Sequence, residues 1–563
     1  MDVRRLILLS AVVFAAGQSY AGAQSEPTPL PRSRPAITAN HTGKAAAEHK
    51  TAPHGGPPAP LALSPAAQAS TPSKPISPLQ INVTPQALRG AIAPSPALRP
   101  TPALAMAASS ATSPLDLAAV KQAVDLVRKG HTDEATNIES TISDPLARKL
   151  VEWLILRSDD STADFARYAA FIAANPSWPS IVTLRRRAEA TLWQEQPAPA
   201  AVIAFFGTEP PHSAKGRFAL ARALLAQGDS AGAQAAVQDA WRGDAFSADL
   251  EAQARDMFAG LITPTDDKAR MDARLYAEDD DAGLRAAHHL DAVELAVAKA
   301  RAAVINDSAN AKALLEAVPA AAQHDPGYIF SRIQWLRHAD KIDEAGRLMM
   351  TAPHDPAVLR DLDQWWIERR LVARKLLDLG NFKMAYEVAS GAATPNNDNY
   401  RAEQQFTAGW IALRFLHEPA VALAHFARIA EGATNPITLA RSYYWQGRAA
   451  EAAGREQDAR AFYDAAAHYP TAYYGQLARA RLGLDEVALR ALPAPPADLH
   501  ALEAARAFEI LYAIDERDVV ATMAADLADK TNDVAALTTL AEIAQHHDDA
   551  RSTLLIGKTA PSP

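Results

Sequence analysis

Aromatic and arginine side chains recur together in the second half of the chain, between residues 365 and 474. Tryptophan and tyrosine rings can stack on sugar rings, and guanidinium groups can donate paired hydrogen bonds to carboxylates. The combination is suited to binding a carboxylated glycan or a protein partner. The candidate contact residues are Trp410, Arg441, Tyr444, Trp445, Arg448, Tyr473 and Tyr474.

The same residues also have a purely structural interpretation. At helical spacing beside alanine and glycine, aromatic rings usually belong to a packed core, and the spacing favours this interpretation. Arginine stems are then buried between helices, and their head groups pair with Glu368, Glu403 or Glu451. The arginines to which this applies are Arg369, Arg370, Arg374, Arg414, Arg441 and Arg448.

Two other polar features contain residue types that can bind a metal ion. The acidic run Glu278–Asp281 lacks the alternating spacing and the distal glutamate of a calcium loop, so it predicts a solvated turn between helices. The adjacent pairs His288–His289 and His546–His547 point to different faces of a helix, whereas metal ligands need a spacing of three or four. The chain contains no cysteine, which excludes thiolate sites and disulfides. No metal site and no cofactor site is expected.

The elements that carry these side chains are predicted to be helices. From Leu115 onward apolar residues recur with helical period; Leu117, Val120 and Val124 share one face of a helix that ends at Gly130. Stretches with the period-two alternation of strands are nearly absent. Repeated antiparallel helix pairs with short turns predict an all-α fold, a right-handed α-superhelix (α-solenoid) whose pairs bury their apolar faces against their neighbours.

The clearest single helix pair spans Tyr443–Ala466. Gly447 lies where a close helix crossing leaves no room for a side chain, and Gly454 ends the first helix. Ala459 and Tyr463 then face the first helix from the second. This spacing is typical of tetratricopeptide-like (TPR-like) helical hairpins.

The N-terminus has the pattern of a secretory signal peptide. Arg4 and Arg5 precede an apolar stretch, Leu6–Ala16, and small residues predict cleavage after Ala23. The stretch is shorter than the roughly 20 residues of a membrane-spanning helix, so no membrane attachment is expected after cleavage. The predicted location is the periplasm.

Residues 24–114 are dominated by Pro, Ala, Ser and Thr, which predicts a disordered tether. The net charge of the whole chain is −9, and no long basic stripe occurs. Nucleic acid is therefore not expected as a partner.

Several blocks of the helical region resemble, in order, the superhelical U-shaped domain and the linker region of soluble lytic murein transglycosylases. The resemblance covers roughly Leu115 to Lys558 and implies a U-shaped-like region, 115–483, followed by a linker-like helical region and C-terminal tail, 484–563. The blocks are DPLARKLVEW at 144–153, FIAANPSWP at 171–179, LRRRAE at 184–189, WIERR at 366–370, AGWIALR at 408–414, ARSYYWQGRA at 440–449 and YYGQLA at 473–478.

In that family a lysozyme-like domain cleaves the bond between N-acetylmuramic acid and N-acetylglucosamine without water, leaving a 1,6-anhydromuramyl end. One glutamate acts as acid and then base, with no metal or cofactor. The resemblance implies that this domain opens with a Glu-Ser pair and contains a Gly-Leu-Met-Gln block. Here the only Glu-Ser pair is Glu139-Ser140, and no Gly-Leu-Met-Gln occurs. Glu139 is expected to be a lone, solvent-facing glutamate with an ordinary pKa, so no catalytic residue is assigned.

The sequence therefore predicts a peptidoglycan-associated protein that resembles the superhelical platform of a lytic transglycosylase and is not catalytic by itself. It is either a remnant or the partner of a separately encoded catalytic domain. A second hypothesis is a TPR-like scaffold that binds another periplasmic protein. A third is an active glycan-cleaving enzyme with an unrecognised site.

Overall fold

The computed structural model describes residues 112–207, 209–485, 502–531 and 533–559. All of them lie in one compact unit, Leu79–Pro563. Within these ranges the protein has 26 α-helices, one 3-10 helix and no β-strand. The predicted all-α fold is confirmed, whereas the predicted signal peptide and most of the predicted tether lie outside the described residues.

The helices are numbered here in chain order. None of them is long and apolar enough to cross a membrane. Their bounds are α1 (Pro114–Arg128), α2 (Thr132–Glu139), α3 (Pro145–Arg157), α4 (Phe165–Ala174), α5 (Ile181–Glu195), α6 (Pro199–Phe205), α7 (Ala214–Ala226), α8 (Ser230–Gly243), α9 (Ala248–Met257), α10 (Pro264–Tyr276), α11 (Asp280–Ala287), α12 (Ala292–Ile305), α13 (Ala311–Ala317), a 3-10 helix (Ala320–His324), α14 (Pro326–His338), α15 (Ile342–Thr351), α16 (Leu362–Asp378), α17 (Phe382–Ser390), α18 (Asp398–Arg414), α19 (Pro419–Arg428), α20 (Pro436–Ala452), α21 (Glu456–Ala467), α22 (Tyr473–Leu482), α23 (Glu503–Ala513), α24 (Arg517–Lys530), α25 (Val534–His546) and α26 (Ala550–Thr559).

Local signals set where the helices begin. Asn435 precedes α20, and its side-chain oxygen accepts a hydrogen bond from the backbone N–H of Ile437 at 2.9 Å. Pro436 occupies the first helical position, where its missing N–H leaves no hydrogen bond unmade. Asp144 caps α3 in the same way, with Pro145 after it.

The predicted hairpin at Tyr443–Ala466 is formed by α20 and α21. A side chain at Gly447 would come within 2.6 Å of the Tyr463 ring, so only glycine permits this crossing. Gly454 adopts the left-handed conformation at φ +71° just after α20. Both predicted glycine roles are confirmed.

The last four helices return to the first helices of the described chain. Phe508 and Leu511 of α23 share one continuous apolar core with Val120 of α1 and with Leu150 and Val151 of α3. Each of these side chains is fully or almost fully buried. The region predicted as linker-like therefore completes the core of the N-terminal helices.

Ion pairs reinforce this return contact, which we define as the contact of α23–α26 with α1–α3. Arg506 of α23 binds the Asp144 carboxylate at 2.6 Å, and both side chains are 4% exposed. Lys149 of α3 binds Glu503 at 2.6 Å. Asp144 therefore has two roles at this contact: it caps α3, and it is the buried counter-ion of Arg506 on α23.

Candidate functional site

Helix α20 carries four of the seven candidate contact residues on successive turns: Arg441, Tyr444, Trp445 and Arg448. It lies between α18 and α22, and it contacts both. The next two candidates, Tyr473 and Tyr474, open α22. The fold therefore brings six of the seven predicted residues to one place.

The rings of this group contact one another. Tyr444 lies 5.3 Å from Tyr474 and 6.0 Å from Trp445, measured between ring centroids. Trp445 also contacts Phe406 of α18 at 5.5 Å. We call Phe406, Arg441, Tyr444, Trp445, Arg448 and Tyr474 the aromatic–arginine cluster. Sequence analysis missed Phe406, whose only signal was its helical spacing from Trp410.

The remaining two candidates behave differently. The Trp410 ring contacts Phe415 at 5.1 Å and belongs to the core formed with α16 and α17. Tyr473 is 65% exposed, with its ring 5.2 Å from that of Tyr474. A core role therefore describes Trp410 and the buried Tyr444, but it does not describe Tyr473. Ligand contact by any of these residues stays a prediction.

Arg441 is one of two partly buried cations in the cluster, and it differs from Arg448 in its partners. Its guanidinium lies over the Phe406 ring at 5.2 Å, and burial lowers its pKa. Its Nε is enclosed and has no hydrogen-bond partner. No ion pair links it to a carboxylate of any described residue, so the predicted pairing of Arg441 with a glutamate is wrong.

Glutamates near the cluster are shared among several arginines. Glu403 of α18 accepts from Arg370 at 2.7 Å, and Arg374 lies 3.6 Å from it. Glu451 is bound by Arg481 at 2.6 Å and by Arg448 at 3.4 Å. The predicted pairings with Glu403 and Glu451 are thus confirmed for Arg370, Arg374 and Arg448. Five arginines, with Arg441 included, face two glutamates here.

The predicted pairing of Glu368 is different from the observed one. Glu368 pairs with Arg337 of α14 at 2.6 Å. Its neighbour Arg369 is buried and has no carboxylate partner; it donates to the backbone oxygens of Val388 at 3.0 Å and Met349 at 3.3 Å. These oxygens lie in the last turns of α17 and α15, where the helix dipole favours a cation. Burial lowers the pKa of Arg369 to about 10.

Glu139 does not have the surroundings that the sequence suggested. Its carboxylate lies 3.3 Å from Arg167 of α4, and Arg167 also pairs with Glu152 of α3. Burial, followed by the neighbouring Glu152, raises the pKa of Glu139 to about 7. The expectation of a lone, solvent-facing glutamate with an ordinary pKa is therefore wrong. Because Arg167 joins α4 to two carboxylates, the triad has a structural role in linking α2, α3 and α4.

The acidic run lies where the sequence placed it. His288 and His289 are exposed as expected for surface residues, but they lie in the turn after α11 and not on the helix. Asp279 caps α11 by accepting from the backbone N–H of Ala282 at 3.2 Å, so the run forms an interhelical turn. His547 stacks on Tyr512 at 4.1 Å and binds Glu509 at 3.0 Å, as expected for a boundary residue. Among the described residues, no group of three or more acidic or histidine side chains is arranged to hold a metal ion.

Comparisons with known proteins rest on structure alone. No protein-family model matches the chain, and no curated relative matches its sequence. The 70 kDa soluble lytic transglycosylase Slt70 from Escherichia coli matches with 16% identity over 79% of this chain and 71% of that chain, with a TM-score of 0.48. An inactive mutant of the lytic transglycosylase Slt from Pseudomonas aeruginosa matches with 16% identity over 78% of this chain and 70% of that chain, with a TM-score of 0.57.

The Pseudomonas match shows that the two proteins share the fold of an α-helical superhelix. It supports a distant structural relationship to soluble lytic transglycosylases, as the sequence blocks suggested. At 16% identity it carries no residue of a site from one protein to the other.

Proposed function

We propose that this protein is a periplasmic, peptidoglycan-associated protein whose superhelix serves as a non-catalytic binding platform of the lytic transglycosylase kind. The observation that carries the proposal is the fold shared with the Pseudomonas aeruginosa enzyme, at a TM-score of 0.57 over 78% of this chain. The secretory pattern at Arg4–Ala23 supports export.

The aromatic–arginine cluster supports a glycan as the ligand. The exposed ring of Tyr473 and the partly exposed rings of Tyr474 and Trp445 offer a surface for sugar rings. The surplus of arginine over glutamate around them favours an anionic polymer, although the whole chain has a net charge of −9. Peptidoglycan combines both properties, because its sugars carry peptides with free carboxylates.

The test is co-sedimentation of the mature chain with purified murein sacculi. We expect retention, and we expect the same retention after removal of residues 24–111, which precede the described helices in the sequence. Loss of retention in the shortened protein would assign binding to the tether. Absence of retention in the mature chain would contradict the proposal.

The non-catalytic part of the proposal is tested separately. Sacculi incubated with the mature chain should release no 1,6-anhydromuropeptides above the level of a buffer control, while an active lytic transglycosylase releases them in the same assay. Release by the mature chain that persists after repeated purification would show an active enzyme.

A protein-binding scaffold is the second candidate, and exposed apolar side chains at one end of α20 and α22 favour it. Ile437 is 64% exposed and Tyr473 is 65% exposed. Exposed apolar patches mark interaction sites, and tyrosine is enriched where proteins dock. Recovery of one stoichiometric periplasmic protein on the mature chain, lost in the double variant Ile437→Ser/Tyr473→Ser and without bound glycan, would favour this function.

A further inference from the structure

The most deeply buried arginines of the described residues have partners within the fold. Arg270 binds Glu251 at 3.0 Å, Arg301 binds Asp272 at 2.6 Å, and Arg506 binds Asp144 at 2.6 Å. Arg369 has backbone oxygens instead. Such partners are needed because transfer of a charge out of water is costly.

Arg441 departs from this pattern. Its stem and Nε are enclosed between α18 and α20, while its two terminal nitrogens donate to no described residue and stay accessible to water. Below the guanidinium lies the Phe406 ring, whose attraction replaces only part of the lost hydration. The head group is thus held in one place with its donors unused.

A carboxylate is the ligand that best completes such a group. A guanidinium donates two parallel hydrogen bonds to a carboxylate, and partial desolvation strengthens them. The neighbouring carboxylates are already committed, since Glu403 is bound by Arg370 and Glu451 by Arg481. Neither glutamate is an ion-pair partner of Arg441.

The rings beside Arg441 indicate what carries the carboxylate. Tyr474 and Trp445 lie 6.4 Å apart, and both rings are partly exposed. Tyr473 extends the aromatic surface with its exposed ring. Arg448 also lies over the Trp445 ring, at 5.9 Å, but it pairs with Glu451, whereas Arg441 has no ion pair with a described residue. Rings beside such a cation suit a sugar with an attached acid better than a uniformly charged chain.

We infer that Arg441 is the carboxylate-binding residue of a glycan subsite formed with Trp445 and Tyr474. The inference rests on the proposed function, because it names the chemical group of peptidoglycan that this surface recognises. Two sources carry that group. The lactyl carboxylate of N-acetylmuramic acid is free in strands without peptides, and the stem peptides of intact strands carry their own carboxylates.

The experiment is calorimetric titration of the mature chain with three soluble probes. Peptide-free glycan strands present lactyl carboxylates, peptide-bearing strands present stem-peptide carboxylates, and chitohexaose presents the same kind of sugar backbone with no acid. We expect one or both acidic probes to bind more tightly than chitohexaose. The tighter of the two acidic probes identifies the source of the carboxylate.

Arg441→Gln is the decisive variant. It should lower the affinity for the preferred acidic probe by about ten- to a hundredfold, which is the loss expected for a charge-assisted hydrogen-bond pair. The affinity for chitohexaose should stay unchanged. Arg460→Gln is the matched control. Arg460 is exposed on α21, so its substitution removes the same charge from a position outside the cluster. Its affinities should equal those of the unmodified protein.

Arg441→Lys keeps the charge but not the paired donors, so its affinity for the acidic probe should lie between those of the unmodified protein and Arg441→Gln. Because Arg441 forms no ion pair with a described residue, neither substitution should lower the melting temperature by more than about 2 °C. If Arg441→Gln lowers the melting temperature by more than this, the affinities of Arg441→Lys and the comparison of the probes still test whether Arg441 binds the carboxylate.

Two results would overturn the inference in distinguishable ways. Equal affinity of Arg441→Gln and the unmodified protein for the acidic probes, or no preference over chitohexaose, would remove the subsite and leave the proposed function standing. Failure of the unmodified protein to bind any of the strands and sacculi would remove both.

Discussion

The return contact and the aromatic–arginine cluster use arginine in opposite ways. At the return contact Arg506 and Asp144 are each 4% exposed and lie 2.6 Å apart. At the cluster Arg441 is enclosed up to its Nε and finds no carboxylate. In the first arrangement the buried charge is satisfied within the fold, whereas in the second the guanidinium has donors to offer.

This difference separates a structural charge from one that is available to a ligand. Removal of a satisfied, buried ion should destabilise the fold, because its partner remains buried without compensation. Removal of an unsatisfied ion should leave the fold intact and change binding alone. The following predictions test that contrast, in order of decreasing effect.

Arg506→Met should have the largest effect. It leaves the Asp144 carboxylate buried without its cation, which costs about 3–5 kcal/mol in the free energy of unfolding. The measurement is urea-induced unfolding followed by circular dichroism. Arg551→Met is the control, because Arg551 and its partner Asp518 are 70% and 89% exposed and should contribute less than about 1 kcal/mol. Equal losses of unfolding free energy in the two variants would show that the buried Arg506–Asp144 pair contributes no more than an exposed pair.

Trp241→Phe and Trp445→Phe form a pair with a smaller expected effect. Trp241 donates its indole N–H to Asp267 at 3.0 Å, whereas the enclosed N–H of Trp445 has no partner. Loss of the first hydrogen bond should cost about 1–3 kcal/mol more than removal of the second donor. Thermal unfolding of both variants measures this difference. A Trp445→Phe protein as unstable as Trp241→Phe would show that the indole N–H of Trp445 is satisfied in solution.

Arg369→Met tests a buried arginine held by carbonyls in place of carboxylates. The substitution leaves the oxygens of Val388 and Met349 without a donor, so we expect a loss of about 1–3 kcal/mol, less than for Arg506→Met. Chemical unfolding of the two variants under the same conditions checks the order. A loss larger than that of Arg506→Met would show that carbonyl oxygens satisfy a buried guanidinium as well as a carboxylate does.

The last contrast is a pH dependence at Glu139, and its effect is confined to a window of pH. Its pKa is raised from 4.5 to about 7 in the folded protein, so the fold favours the protonated form. The stabilisation from this bound proton is fully present below pH 4.5 and is lost as the pH rises through about 7. Relative to Glu139→Gln, the melting temperature of the unmodified protein should therefore fall between pH 5 and pH 8. A difference that is constant with pH would show that the pKa of Glu139 is ordinary.

Local features of the fold were predictable from the sequence, and distant ones were not. The Gly447–Tyr463 crossing and the left-handed Gly454 follow from spacing within one hairpin. The Arg506–Asp144 pair joins residues 362 positions apart, and no local pattern points to it. Long-range pairing depends on where the solenoid returns, which side-chain periodicity does not encode.

In the candidate site, too, the local features were predictable from the sequence and the contacts between helices were not. Periodicity predicted that Arg441, Tyr444, Trp445 and Arg448 share α20, and the helix confirms it. Pairing could not be predicted in the same way, because it depends on how neighbouring helices share their carboxylates. The prediction for Glu139 is wrong for that reason, because Glu152 and Arg167 reach it from two other helices.

The return of α23–α26 to the first helices has a consequence for self-association. Linear arrays of helix pairs normally finish with a polar terminal repeat, because an uncovered apolar end would stack on the next molecule and polymerise. Here Phe508 and Leu511 cover the apolar side of α1 and α3 from within the same polypeptide. The first helices are thus covered by helices that lie far from them in the sequence. A variant that loses the return contact should form filaments or aggregates before it loses its helices.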